Sequence, residues 1–415
     1  MSKKILIIGN SAKEYALAKN LSENNEVYVA PGSSSIKEFA TCVDIRENSS
    51  AELLEFVMEN DINLTIATSA KAISTDITEI FTNNNQAIFA PTAQSARLVF
   101  DKAILKKVLY KLRIPTPKFG IFEKQNMAAD YIKNLKNPFV LKTNEPCSAI
   151  ILNNQQTAKT ILDSYFAKKN QKIIIEDYVW GSSFTFYAIT DGYKALPIGS
   201  SLIYKHSLEG EGGQLTSGMG ACSPNYKLSV DNEYFLMDNV IYPILEYLET
   251  EGNPYIGIIG VDGILTEDGS IQVIGLQHFT QDCDTNGILE ILDTDLINLF
   301  NSCVIGSFSD EYEYIEQNEI STTSLVLSCK NKDFKNNSIE GLDDLDEETL
   351  VAFYPNTTKN KYLEYEASSG STLVLTSKGR TVTTSVERVY EEAKTINFAG
   401  LSYRKDICKS LTANV

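Results

Sequence analysis

The first hundred residues alternate short apolar runs with amphipathic stretches, and this narrows the fold more than any other feature of the chain. Residues 5–8 (ILII) form an apolar run stopped by Gly9, and residues 12–24 follow with Ala16, Leu17 and Leu21 on one helical face. Residues 26–30 read as a second strand closed by Pro31-Gly32. Residues 51–59 read as a helix, 64–67 as a strand, and 87–90 as a last strand ending at Pro91. Strands joined by helices in this way pair in parallel, so the order predicts a doubly wound α/β sheet.

At 415 residues the chain exceeds one ordinary core, and two to four domains are expected. Asp and Glu number 54 against 37 Lys and Arg, a formal net charge of −17. That balance disfavours a nucleic-acid partner, which needs a basic face, but leaves room for a local basic pocket. Cys42, Cys147, Cys222, Cys283, Cys303, Cys329 and Cys408 are scattered, with no C-x-x-C pair. The spacing argues against structural zinc and against a disulfide framework, and predicts reduced buried thiols in a cytoplasmic protein. No apolar run is long enough to span a bilayer, and residues 5–8 are too short for a signal-peptide core, so no membrane partner is expected.

Residues 93–112 read as helical, breaking near Asp101, with Lys102, Lys106, Lys107 and Lys111 on the polar side; Ile114-Pro115 ends the stretch. Residues 139–142 and 149–152 read as a hairpin and 172–176 as a strand. Residues 184–190 turn at Asp191-Gly192 and return over 195–200. A small α+β subdomain followed by a larger antiparallel sheet is predicted, with a boundary near residue 320 and a final helix over 385–393.

Gly9-Asn10-Ser11-Ala12 links a strand to a helix, where backbone N–H groups can hold a phosphate; any strand-to-helix turn looks similar. Lys102 and Lys142 could converge on a polyphosphate, but taken alone they read first as surface lysines. His206 and His278, the only histidines, have no ligand-spaced partner. Five glycines between 210 and 220 mark either a flexible linker or a loop whose backbone approaches something closely.

Several segments fit one family pattern. Residues 8–18 (IGNSAKEYALA) are similar to I-G-x-G-G-R-E-H-A-L-A, and Val27-Tyr28-Val29-Ala30-Pro31-Gly32 matches V-x-V-A-P-G. Ala90-Pro91-Thr92-Ala93 and Asp101-Lys102-Ala103 look like G-P-T-A and S-K-A. Residues 217–224 (SGMGACSP) are similar to G-G-M-G-A-Y-S-P, the most specific of these, and Arg404-Lys405-Asp406-Ile407 resembles the terminal R-x-D-I-G. On these motifs nearly the whole chain resembles the phosphoribosylamine–glycine ligases (glycinamide ribonucleotide synthetases) of the ATP-grasp superfamily.

The resemblance implies an N-terminal α/β domain of the biotin carboxylase type over residues 1–100 and an ATP-grasp core over 101–320. It further implies a small inserted α+β lid at about 117–185 and a C-terminal α+β domain over 321–415. It implies joining of glycine to 5-phosphoribosylamine through an acyl phosphate, in purine biosynthesis, with ATP and Mg²⁺. Lys102 and Lys142 would touch the ATP phosphates, while Glu176, Tyr178 and Val179 would border adenine. Gly9, Gly218, Met219 and Gly220 would line the substrate side. Lys205 and Asp282 would be catalytic, with Asp282 near glycine.

Other positions depart from the family pattern. Its Gly-Gly turn is Ser11-Ala12, and its G-P-E segment is replaced near Thr68-Ser69-Ala70. The flexible A-A-G-K-G loop shortens to residues 145–149 without lysine, and the Glu after the adenine strand falls at Ser182-Ser183. The two metal positions hold Gly275, which has no side-chain ligand, and Gln277, a neutral one; the Arg two residues beyond is Phe279. Three readings follow: a ligase in which Asp262, Asp282 or Asp284 supplies the metal charge, a non-catalytic nucleotide- or protein-binding relative, and a ligase with a changed acid or amine.

Overall fold

The computed structural model describes residues 2–412 apart from 136–137, 146–147, 168–171 and 331–336. Cys147, in the shortened loop, lies outside the described residues. Among the described residues the N-terminal sheet comprises β1 (Lys4–Gly9), β2 (Glu26–Pro31), β3 (Thr41–Cys42), β4 (Leu64–Ala67) and β5 (Ile88–Phe89). All pair in parallel in the order β3-β2-β1-β4-β5. The period-2 pleat sends Ile5 and Ile7 to one face, in a cluster that includes Leu17 and Leu21, and Leu6 and Ile8 to the other, in a cluster that includes Leu53, Val57 and Phe81. Both faces are covered, which is why Ile5–Ile8 within β1 is an unbroken apolar run. Chain order reverses beside β1, so the crevice beyond the ends of β1 and β4 is a topological switch point, where ligands of open α/β sheets bind. Gly9 and Thr68 stand there.

A second sheet comprises β6 (Phe119–Phe122), β7 (Phe139–Lys142), β8 (Ile150–Leu152) and β9 (Ile173–Asp177), antiparallel in the order β6-β9-β7-β8. Ala128, Ile132, Ala158 and Leu162 from its two helices cluster with Phe139, Leu141, Ile173 and Ile175.

The largest sheet begins with β10 (Ser182–Asp191) and β11 (Ala195–Ile203). A short hairpin follows, β12 (His206–Leu208) with β13 (Gly212–Leu215), and then β14 (Gly220–Ser223), β15 (Ile256–Leu265), β16 (Ile271–Gln277) and β17 (Ser321–Cys329). The chain ends with β18 (Leu350–Phe353), the small pair β19 (Thr358–Lys359) and β20 (Tyr365–Glu366), β21 (Gly370–Gly379) and β22 (Leu401–Ser402). The antiparallel order is β16-β15-β10-β11-β14-β17-β21-β18, with β22 on β17, so pairing continues across residue 320. Phe184, Phe186 and Val261 face Leu105, Leu109, Ile244 and Leu248, while Tyr187 and Ile189 lie on the opposite face with Ile288 and Phe300. No helix among the described residues is long and apolar enough to cross a membrane.

Cys222 in β14 and Cys408 near the C-terminus are joined as a disulfide, their Cα atoms 6.2 Å apart. The expectation that the cysteines are all reduced thiols is corrected here. The pair is separated by 186 residues, and only the fold brings it together.

Candidate active site

Three clusters of polar side chains are held by these sheets. The first surrounds Glu176 at the end of β9. Asp101 caps helix Lys102–Lys111 by accepting from the N–H groups of Ala103 and Ile104, which fixes where the helix lysines point. Lys102 donates through Nζ to the carbonyls of Thr143 (2.7 Å) and Glu145 (3.1 Å) and to Ser148 Oγ (3.2 Å), fastening the helix to the loop after β7. One turn later, Lys106 is only 1% exposed, contrary to its expected place on the polar side. Its Nζ lies 3.1 Å from Glu176 Oε1 and donates to Thr116 Oγ1 at 2.6 Å. Lys142, from the adjacent β7, reaches Glu176 Oε2 at 2.9 Å and the Ile274 carbonyl at 3.4 Å.

One buried carboxylate is therefore clasped by two ammoniums, and the cluster keeps a positive excess. Burial pushes Lys106 down to about 8 against the pull of Glu176, with Lys142 adding repulsion. Burial alone would raise Glu176, but Lys142 and Lys106 outweigh it and hold the carboxyl below its ordinary range. Tyr178 and Val179 follow directly, both half-buried, with Trp180 packed edge-on against Tyr178 at 4.7 Å.

The second cluster lies on β10, β15 and β16. Asp262 stands opposite Thr185 on one side and Gly275 on the other. Its Oδ1 accepts from Thr185 Oγ1 (2.6 Å), and its Oδ2 accepts from Lys205 Nζ (3.1 Å) and Gln277 Nε2 (2.8 Å). Burial opposes ionisation, yet Lys205 and these donors hold Asp262 below the usual aspartate range.

The third cluster closes the switch point of the first sheet. Asp282 Oδ1 accepts from Ser11 Oγ (2.6 Å) and from the Lys13 N–H (3.0 Å), at the start of helix Ala12–Ser22. Glu14 turns back on the same loop, accepting from the Ser11 N–H at 2.6 Å, from the Thr68 hydroxyl, and pairing with Lys13 Nζ at 3.2 Å. Gly9 has φ +151°, and a Cβ there would lie 2.5 Å from the Glu14 side chain, so any other residue would be strained and would displace the Glu14 carboxylate. His278 Nε2 donates to the Thr68 carbonyl at 2.7 Å; burial, with Lys13 adding repulsion, drives its pKa down to about 4, so the ring is neutral.

The glycine loop joins the second and third clusters. Met219 donates its N–H to the Tyr204 carbonyl (2.8 Å), and a Cβ on Gly218 would come 2.5 Å from Cys283 Sγ. A Cβ on Gly220 would come 2.6 Å from the Ser324 carbonyl oxygen. Gly218 lets the loop lie against the segment carrying Asp282 and Asp284, and Gly220 lets it meet β17. Of the expected residues, Lys142 and Glu176 thus meet directly, Lys205 and Gln277 meet on Asp262, and Gly9 and Asp282 flank one loop. Lys106, Thr185 and Gln281, whose Nε2 donates to Thr185 Oγ1 at 2.8 Å, were missed from the sequence as members of these clusters. Lys106 alone carried a signal there, four residues after Lys102 and so on its helical face.

Asp284 is fully buried, accepting from the Tyr187 hydroxyl (2.8 Å) and the Gln281 N–H (2.9 Å). Burial raises its pKa from 3.8 to about 6 despite these donors. Between about pH 4 and 6 the folded state holds a proton that the unfolded chain has released, so this group's contribution to stability falls as pH rises through that window. Asp284→Asn is expected to gain on the wild type by on the order of 2 kcal/mol between pH 4.5 and 7.5. Urea unfolding of both proteins at the two pH values measures this, and an unchanged difference would count against the assignment.

Residues 3–98 match the phosphoribosylglycinamide synthetase N domain, and residues 100–285 match the phosphoribosylglycinamide synthetase ATP-grasp (A) domain. The chain belongs to the phosphoribosylglycinamide synthetase family. It is 26% identical to the phosphoribosylamine–glycine ligase of Clostridium acetobutylicum over 98% of this chain and 100% of that protein. The crystal structure of phosphoribosylamine–glycine ligase from Thermotoga maritima superposes with a TM-score of 0.81 at 20% identity, covering 97% of this chain and 100% of that one. The biotin carboxylase domain of the Hydrogenobacter thermophilus 2-oxoglutarate carboxylase, solved with MgADP, superposes with a TM-score of 0.71 at 13% identity, covering 99% of this chain and 98% of that one. At these identities the structural likenesses show the fold: a parallel-sheet N-terminal part joined to an ATP-grasp sheet. The expected family resemblance and fold are both borne out.

Proposed function

We propose that the protein is an ATP-dependent C–N ligase that joins glycine to 5-phosphoribosylamine, a step of purine biosynthesis. The observation that carries this reading is coverage: relatives bearing that ligase name match the chain along nearly its whole length, and their own. In this reading Lys102 and Lys142 offset the charge of the nucleotide phosphates, and Tyr178 and Val179 border adenine. Glu176 anchors Lys142 and keeps Lys106 beneath it, so the ammonium is in place before nucleotide arrives. Lys205 and the Gly218–Gly220 backbone line the substrate side. Asp282, fixed by Ser11 and the Lys13 N–H, orients the glycine amine, and Gly9 gives the sugar substrate access to the loop.

Mg²⁺ takes hard oxygen ligands, commonly one or two carboxylates plus substrate phosphates. The Gln277 amide oxygen and the Asp262 carboxylate beside it form a donor set of that kind, although Gly275 contributes nothing. Held there, Mg²⁺ would offset negative charge on the nucleotide phosphates.

ADP release by the purified protein tests the reading, with Mg²⁺, ATP, glycine and freshly made phosphoribosylamine each omitted in turn. Turnover that needs all four is expected. Silence from folded protein, beside an active ligase as control, would overturn the reading in favour of a binding-only relative.

A further inference from the structure

We propose that Arg404 is a positioning residue for the substrate side: it holds the β12–β13 hairpin against the C-terminal segment and so fixes where Lys205 and the glycine loop stand. The inference deepens the ligase reading above, on which its kinetic readout rests.

The hairpin has little of its own to hold it. Residues 206–215 (HSLEGEGGQL) carry three glycines and few apolar side chains, and the strands pair at His206–Leu215 and Leu208–Gly212 across an irregular register. A two-stranded ribbon by itself is marginally stable in water at best. Yet both of its ends adjoin the site. The Lys205 carbonyl accepts from the Thr216 N–H (2.7 Å) and the Thr216 hydroxyl (2.9 Å), and the Tyr204 carbonyl accepts from the Met219 N–H (2.8 Å). A shift of the hairpin therefore carries Lys205 and Met219 with it.

The restraint comes from the segment around residue 404. The Arg404 side chain is 1% exposed. Its Nε and Nη2 donate to the two carboxylate oxygens of Asp406 (2.8 and 2.7 Å). Nη2 also donates to Glu211 Oε1 (2.8 Å), and Nη1 donates to the His206 carbonyl (3.0 Å). Asp406, so oriented, accepts from the Gly210 N–H (2.9 Å), and the Lys405 N–H donates to Glu209 Oε1 (3.1 Å). The first strand and the turn of the hairpin are thus gripped from one buried cation and its neighbours. A planar guanidinium makes these contacts at once because its donors are spread over a rigid fork; an ammonium offers its donors from a single point. The segment is itself fastened. The Tyr390 hydroxyl donates to the Arg404 carbonyl (3.0 Å) and accepts from the Ile407 N–H (2.9 Å), and Cys408 is joined to Cys222 in β14. The family pattern has Tyr and Gly where Cys222 and Cys408 stand, so this last fastening is the chain's own.

Two variants of the full chain test the inference. Arg404→Lys keeps the charge and loses the fork; Asp406→Asn, at a partly exposed side chain, is the milder change should the first fail to fold. Hydrogen exchange over residues 204–219 is expected to quicken at least about tenfold in Arg404→Lys, and in the same direction in Asp406→Asn, while β10 and β15 exchange as in wild type. In the ADP-release assay, KM for glycine or for phosphoribosylamine is expected to rise at least about fivefold with KM for ATP within about twofold, the mark of a displaced substrate side. Unchanged exchange over 204–219 in the variants that fold overturns the inference. So does a fall in kcat with all three KM values unchanged, which is what a loss of folded protein alone would give. Exchange is read without turnover, so failure of the ligase reading shows separately, as silence of the wild type in the ADP-release assay.

Discussion

Replacing Glu176 with alanine is expected to cost about 3–5 kcal/mol of folding stability, the range found when one partner of a buried ion pair is removed. The side chain is 1% exposed and meets Lys142 at 2.9 Å and Lys106 at 3.1 Å. Without it, two ammoniums remain in a region poor in water with no counter-charge. Lys106 suffers most, because burial already pushes its pKa down to about 8 with the carboxylate present. Its pKa would fall further, and Lys142 would lose the carboxylate that holds its ammonium in place. Denaturant unfolding measures the cost, and Lys106→Met in the same chain should recover part of it by removing one stranded charge. A loss below about 1 kcal/mol would show that the cluster is solvated and that the two lysines are not held by Glu176.

Phe279→Arg, which restores the residue the family pattern carries, is expected to destabilise rather than repair, by on the order of 4 kcal/mol. Phe279 is 4% exposed and borders a small apolar cavity with Ile189, Ile198, Ile258, Ile288 and Phe300. An arginine there would forfeit aromatic packing and bury a guanidinium among aliphatic carbons. Soluble yield and the urea midpoint give the answer. A variant as stable as wild type would mean that the side chain at 279 can reach the polar cluster around Asp262, and that the core reading of this position is wrong.

The parallel sheet was legible because its signal is local: Ile5–Ile8 is apolar on both faces, Leu64–Ala67 is interrupted only by Thr65, and both are bounded by turn residues. The glycine loop was legible because Gly218 and Gly220 are needed where the backbone meets Cys283 and Ser324. Lys106 was misread, since its burial depends on Glu176, seventy positions away and in another element. The place of Asp262 opposite Gly275 could not be read from the sequence, because that pairing depends on a register that shifts between Asp262 and Gly263. The Cys222–Cys408 link gave no sign at all, for the same reason of distance along the chain.

The continuous large sheet also sets an order of events on the ribosome. Strands β10, β11, β15 and β16 pair among themselves within residues 182–277 and can assemble once that stretch has emerged. Strand β14 cannot be covered then, because Gly220 pairs with Leu325, made about a hundred residues later, and β17 in turn waits for β21. During synthesis the strand that follows the glycine loop is therefore an open edge, the kind of edge that recruits foreign strands. The nascent chain is most exposed to misassembly while the strands that carry Thr185, Asp262 and Gln277 are already paired.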